Sequence, residues 1–306
     1  MRRKIAVIGA GNVGSTLALY LAQKELGDIV LVDIVEGVPQ GKALDIRQAA
    51  PVFGFDVNVT GHNDYSAIQG SDLVVVTAGL ARKPGMSRLD LLLKNAEIVK
   101  GITASIVQYA PNAIVILVSN PVDVMTYHCL KLSGFSPKKV LGQAGVLDSA
   151  RYAAFIADYL NVSVKDISPM VLGGHGDEMV PLPKQTTVSG ISVDKLIPAD
   201  KLSAINERTR KGGAEIVELL KTGSAYYAPA AATCAMVESI LLDQNRILHC
   251  SVLLNGEYGI KDVCVGVPAK LGNNGLEEII KLDLSAEELS ALQKSAGIYK
   301  ESIVQL

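Results

Sequence analysis

Short, continuous runs of β-branched and aliphatic residues alternate with longer stretches of helical period through the first half of the chain. The runs at 4–8, 29–32, 57–60, 73–77, 114–118 and 140–142 are apolar at nearly every position rather than at every second one. That is the pattern of strands covered on both faces. Helical stretches at 13–24, 41–48, 88–109 and 121–133 separate them. Alternation of strands with helices predicts a parallel sheet with crossover helices, and six such strands fit a doubly wound nucleotide-binding half.

Past residue 145 the pattern changes. A helix is predicted at 149–160, strands at 167–172 and 185–188, and helices at 199–220 and 229–242. A hairpin over 247–254 and 263–267 precedes a last helix at 285–304, which opens with Ser-Ala-Glu-Glu, a capping-box pattern. The expectation is therefore an α/β chain: a doubly wound parallel sheet over 1–145, then an α+β unit over 146–306, joined without a Pro/Gly-rich linker.

Composition narrows the options. Hydrophobic residues make up 49% of 306 and charged ones 20%, which excludes a disordered or fibrous chain. A net charge of -2 gives no general pull toward nucleic acid or an anionic membrane. Cys129, Cys234, Cys250 and Cys264 lack C-x-x-C or zinc-type spacing, so reduced thiols and no metal are expected. The basic start resembles a leader, but glycines at 9, 11 and 14 break the apolar stretch, and a cytoplasmic protein is expected.

Gly9-Ala10-Gly11-Asn12-Val13-Gly14 is a G-x-G-x-x-G run between an apolar strand and an apolar helix, the context a dinucleotide site requires. The first glycine makes the turn, the second admits a pyrophosphate and the third lets helix pack on strand, as in a Rossmann-type domain. Asp33, nineteen residues after Gly14, ends the second strand. A carboxylate there bonds ribose hydroxyls and repels a 2′-phosphate, which selects NAD over NADP. Thr77, Ala78 and Gly79 put small residues where a dinucleotide would pass, although a plain turn reads the same way.

Glycines frame His175 in Gly173-Gly174-His175-Gly176-Asp177, which puts a residue suited to acid/base work on a turn. In Leu147-Asp148-Ser149-Ala150-Arg151, helical spacing places Asp148 and Arg151 on one face. Asp148 can orient the imidazole and Arg151 can fork onto a carboxylate, while an exposed helix salt bridge is the competing reading. Arg82, Lys83 and Arg88 make the loop after the fourth strand basic, either a closing lid or a solvated loop. Asn120, in Ser119-Asn120-Pro121, can contact a nicotinamide and a substrate oxygen or cap the next helix.

Taken together, in this order and spacing, these motifs resemble the lactate/malate dehydrogenase family of 2-hydroxy acid dehydrogenases, over nearly the whole chain. Gly223-Ser224-Ala225-Tyr226-Tyr227-Ala228-Pro229 is similar to the family segment that closes the substrate pocket. The resemblance implies that His175 passes a proton to and from the substrate oxygen with Asp148 behind it. It implies that Arg88 polarises the carbonyl, that Arg151 binds the C1 carboxylate, and that Asn120 places substrate and nicotinamide. Asn95 and Val118 become further cofactor positions, beside Ser119. A cis peptide at Asn120–Pro121 is also implied.

Substrate choice rests on Arg82. Family members acting on pyruvate generally carry glutamine there, and those acting on oxaloacetate carry arginine. A second carboxylate must be desolvated in a closed site, and a cation offsets that cost. The resemblance thus implies the branch of malate-using enzymes nearest the lactate-using ones, working in the tricarboxylic acid cycle on a small dicarboxylate. A homotetramer follows from that kinship, with a dimer as the alternative. An NAD-binding sensor without turnover would not need His175, Asp148, Arg88 and Arg151 together. An NAD-dependent glycosidase would want a cysteine near His175.

Overall fold

The computed structural model describes residues 2–80 and 87–306. The dinucleotide half runs β1 (Lys4–Ile8), α1 (Asn12–Gln23), β2 (Asp28–Val32), α2 (Val38–Phe53), β3 (Val59–His62), β4 (Leu73–Val76), α3 (Arg88–Tyr109), β5 (Ile114–Leu117), α4 (Val122–Ser133) and β6 (Val140–Gln143). These six strands are parallel in the order β3-β2-β1-β4-β5-β6, the doubly wound arrangement the pattern predicts. Leu73, Val74, Val75 and Val76 are all 0% exposed, as continuous apolar strands between two helical layers should be. At roughly 1.5–3 kcal/mol for each buried aliphatic side chain, this stripe anchors the half.

The second half continues with α5 (Gly145–Leu160), β7 (Ile167–Ser168), β8 (Val171–Gly173), β9 (Met179–Pro181), β10 (Thr187–Val188), β11 (Ile191–Ser192) and α6 (Ala199–Leu220). It ends with α7 (Tyr227–Leu241), β12 (Arg246–Asn255), β13 (Lys261–Gly272), β14 (Gly275–Ile279) and α8 (Ala286–Ile303). The predicted hairpin is β12–β13, and both capping-box bonds at Ser285 and Glu288 are present. β12 also pairs antiparallel with β6, so one eleven-stranded sheet runs through both halves.

Three expectations need correction. The single strand at 167–172 is two: Pro169 lacks an N–H for the ladder, so β7 joins a small sheet with β10 while β8 joins β13. The third strand starts at Val59 rather than 57, because Phe55 and Val57 are buried without entering the ladder. β9, β11 and β14, each five residues or fewer, gave no pattern long enough to read.

Candidate active site

The loops that leave the carboxyl ends of β1, β2, β4, β5 and β6 gather on one side of the sheet, where ligands bind in such folds. After β1 the chain turns at Gly9, whose φ is +103° and where a Cβ would lie 2.7 Å from the Ala78 nitrogen. At Gly14 a Cβ would lie 1.8 Å from the Gly9 carbonyl oxygen, so helix and strand approach only because the side chain is missing. Gly11 is different: its φ is −69° and, among the described residues, nothing lies within 4 Å of a Cβ there. The start of α1 carries no side-chain cap and no acidic residue in its first turn. Its N–H groups are left to face an anionic ligand.

Asp33 accepts the Ala10 N–H at 2.7 Å and the Val35 N–H at 3.0 Å. A carboxylate has about four acceptor sites, so both oxygens keep capacity for a ligand. Thr77 donates to the Gly9 carbonyl at 3.0 Å, and Ser119 donates to the Ala78 carbonyl. The Asn120–Pro121 peptide is cis. Asn120 does not cap the next helix, since the N-cap position is Pro121 and no side chain bonds there.

Asn95 lies between two of the loops that frame the expected cofactor position. It is 1% exposed; its oxygen accepts the Leu80 N–H at 2.8 Å and its nitrogen donates to the Asn120 carbonyl at 2.7 Å. The amide braces the loop after β4 against the loop after β5. Arg88, the residue the lid is expected to bring in, has a carboxylate partner at the edge of the cleft. It stands at the rim, 83% exposed at its side chain and 3.2 Å from Asp177, rather than over the cleft. Arg82 lies outside the described residues.

A cleft of about 590 Å³ opens between the halves, within the usual size of a small-molecule site. Gly11, Asn12, Val13, Gly14, Thr77, Gly79, Val118, Ser119 and Asn120 line it from the first half. Arg151, His175, Asp177, Ala225 and Pro229 face them from the second. Gly9, Ala10, Asp33 and Ala78 are not on its wall; the first two and Ala78 shape the loop behind it.

His175 sits on a turn with Gly173 at φ +85° and Gly176 at φ +124°. A Cβ on Gly174 would collide with the Tyr299 ring. The His175 Nδ1 lies 3.0 Å from Asp148 Oδ2, and Asp148, in the first turn of α5, is 1% exposed. Arg151, one turn on, places Nη1 3.6 Å from the other Asp148 oxygen, with 12% of its side chain exposed. This is not a solvated surface pair. Burial opposes a charge on His175, yet the adjacent Asp148 carboxylate outweighs it and holds the ring above the ordinary histidine range. His249, bonded to Ser149 at 2.9 Å, is pushed by burial to about 4 and stays neutral. Among the described residues, His175 is the only histidine in an ion pair with a carboxylate.

The pattern did not expose Gln143, Leu91, Leu147, Arg210 or Gly213, all of which line the cleft. Arg210 donates from Nε to the Met179 carbonyl at 3.2 Å. One signal was available. Gly212 and Gly213 fall inside the long helix α6, and a Cβ at either would come within 3.1 or 3.4 Å of the Arg151 side chain. Paired glycines in a helical stretch mark such a close approach.

With this geometry in hand, known proteins can be compared. Residues 3–142 match the lactate/malate dehydrogenase NAD binding domain, and 145–306 match the lactate/malate dehydrogenase α/β C-terminal domain. A protein of Roseiflexus sp. named malate dehydrogenase is 58% identical over 306 residues, covering 100% of this chain and 99% of its own. The apo structure of the malate dehydrogenase from Picrophilus torridus superposes with TM-score 0.97 at 46% identity, covering 99% of this chain and 97% of that one. The lactate dehydrogenase of Cryptosporidium parvum, solved with lactic acid and the dinucleotide, reaches TM-score 0.96 at 42% identity, with 99% and 98% covered. The chain belongs to the lactate/malate dehydrogenase family, with NAD as its cofactor.

Proposed function

We propose that this chain is an NAD-dependent malate dehydrogenase interconverting (S)-malate and oxaloacetate. The observation that carries the reading is the buried Asp148 carboxylate 3.0 Å from His175 Nδ1, behind His175 and Arg151, which both line the cleft the glycine loop opens. Gly11 supports the cofactor fit: no contact among the described residues requires glycine there, and the open space suits a ligand at the start of α1.

The loops at Gly9–Gly14, Asp33, Thr77–Gly79 and Val118–Asn120 would hold NAD, with Asn95 as their brace, and the chemistry the dinucleotide would supply there is hydride transfer. His175 takes up and releases the substrate proton at Nε2, while Asp148 fixes Nδ1 as a donor and stabilises the imidazolium. Arg151 grips the C1 carboxylate with its planar fork. Arg88 turns from Asp177 into the cleft with substrate and places positive charge at the carbonyl oxygen. Asn120 orients the substrate, and Arg82 meets the far carboxylate.

Malate rather than lactate rests on Arg82 in the sequence and on the names of relatives such as that of Roseiflexus sp.. The fold does not decide it, since a lactate dehydrogenase superposes almost as well. Steady-state rates with NADH should favour oxaloacetate over pyruvate by about 10²-fold or more, and Arg82→Gln should move the ratio toward pyruvate. Faster turnover of pyruvate by the unaltered chain overturns the assignment, and NADPH in place of NADH tests Asp33.

The same reading takes 1–145 and 146–306 as dinucleotide and substrate halves, and a cytoplasmic role in the tricarboxylic acid cycle. It includes a homotetramer. Val52 and Phe53 on α2 and Leu219 on α6 are 84, 58 and 74% exposed, apolar surface suited to burial against other copies. A light-scattering mass of four chains is expected; that of two would leave only the dimer.

A further inference from the structure

A second carboxylate holds the His175 turn and takes no part in the chemistry just described. Asp123 lies in the first turn of α4 and is 0% exposed. Its Oδ2 accepts the main-chain N–H of His175 at 2.8 Å, and its Oδ1 accepts the hydroxyl of Ser251 on β12 at 2.6 Å. Tyr299 of α8 donates to the His175 carbonyl at 3.0 Å, and Ser295 accepts the Gly174 N–H at 2.9 Å. The imidazole is thus fixed at its ring by Asp148 and at its backbone by side chains from α4 and α8.

We propose that Asp123 is a positioning residue for His175, the bond from the His175 N–H to Oδ2 setting where the imidazole stands against the substrate. The inference rests on His175 being the proton carrier. Burying a carboxylate is costly unless its acceptor sites are filled, whereas an apolar side chain between α4 and β12 would carry no such cost. Two bonds to two other segments are what this position obtains in exchange. Both cross the junction of the halves, so the seat of His175 depends on how the second half docks on the first. Burial pushes Asp123 up to about 6, against the bonds from Ser251 and His175. The titratable groups that face it are His175, Asp148, Cys264 of β13 and Tyr299 of α8.

Two variants separate the bond from bulk and charge. Asp123→Asn keeps an oxygen for the His175 N–H and can still bond Ser251, while Asp123→Leu keeps the volume and offers no acceptor. Misplacing a catalytic group by about 1 Å costs about 10²-fold, so Asp123→Leu should lower kcat by that order with KM for oxaloacetate changed less than about threefold. Asp123→Asn should recover to within about threefold of the parent kcat. The ring resonances of His175, identified by their loss in His175→Asn, should shift in the leucine variant and stay in place in the asparagine one. If the leucine variant does not fold, Ser251→Ala carries the test, with kcat lowered about threefold or more as the carboxylate loses one anchor. A folded Asp123→Leu with parental kcat, an asparagine variant as slow as the leucine one, or an unchanged Ser251→Ala overturns the proposal. Parental turnover in His175→Asn would instead strike the acid/base reading, and the ring resonances would still report on positioning.

Discussion

At the scale of single residues, His175 is decided by its neighbours. Burial disfavours the imidazolium, and Asp148 at 3.0 Å more than compensates, so the ring holds its proton to higher pH than a free histidine. In the proposed reaction, ketone reduction consumes that proton. Reduction of oxaloacetate should therefore proceed below the raised His175 pKa and fall as pH rises through it. In Asp148→Asn the anion is gone and burial remains, so the fall should move to lower pH, with kcat lowered by about 10²–10⁴-fold. Profiles of kcat/KM at saturating NADH check this; a fall that stays at the same pH assigns the titration to another group. The types and spacing of His175, Asp148 and Arg151 were readable along the chain. That Arg88 turns to Asp177 and Asn95 to Leu80 and Asn120 was not, because rotamer and partner depend on segments brought together only by folding.

The glycine loop and α1 make the case at the scale of elements. Glycines within one motif differ in what surrounds them: at Gly14 the chain's own carbonyl stands 1.8 Å from a Cβ, while beside Gly11 no described atom lies within 4 Å, which on the proposed reading leaves room for the dinucleotide. Gly14→Ala should destabilise the fold by about 3 kcal/mol, as forced overpacking does, and lower Tm by several degrees. Gly11→Ala should cost at most about 1 kcal/mol, from the poorer helix start, yet weaken NADH binding about tenfold or more. Melting curves and NADH titrations of the two variants separate the effects. Equal losses of stability would mean that Gly11 serves packing after all. Long helices such as α3 and α6 were legible end to end because their apolar period spans several turns. The two-residue strand β11 and the break that separates β7 from β8 were not, since both are set by the partners these strands pair with.

Over the whole molecule, the bond between β6 and β12 turns two sequence patterns into one sheet, and one buried cluster extends from Ile5 to Tyr299. Neither half can unfold without uncovering apolar surface of the other. At fixed protein concentration a single cooperative transition is expected, with near- and far-UV circular dichroism coinciding. A separate early melting of residues 146–306 would show that the halves are joined only loosely.

The chain by itself determined the layered α/β plan, the dinucleotide loop and the residue types of the site, because periodicity, glycine demand and side-chain chemistry are local properties. Tertiary structure alone decided which groups share a cleft, that Asp123 bonds the His175 main chain, that Arg210 lines the same cleft as Arg151, and that both halves share a sheet. Those facts depend on distances between segments far apart in the chain, 52 residues for His175 and Asp123 and 128 for Ser251 and Asp123, and such distances are set by how the whole core packs.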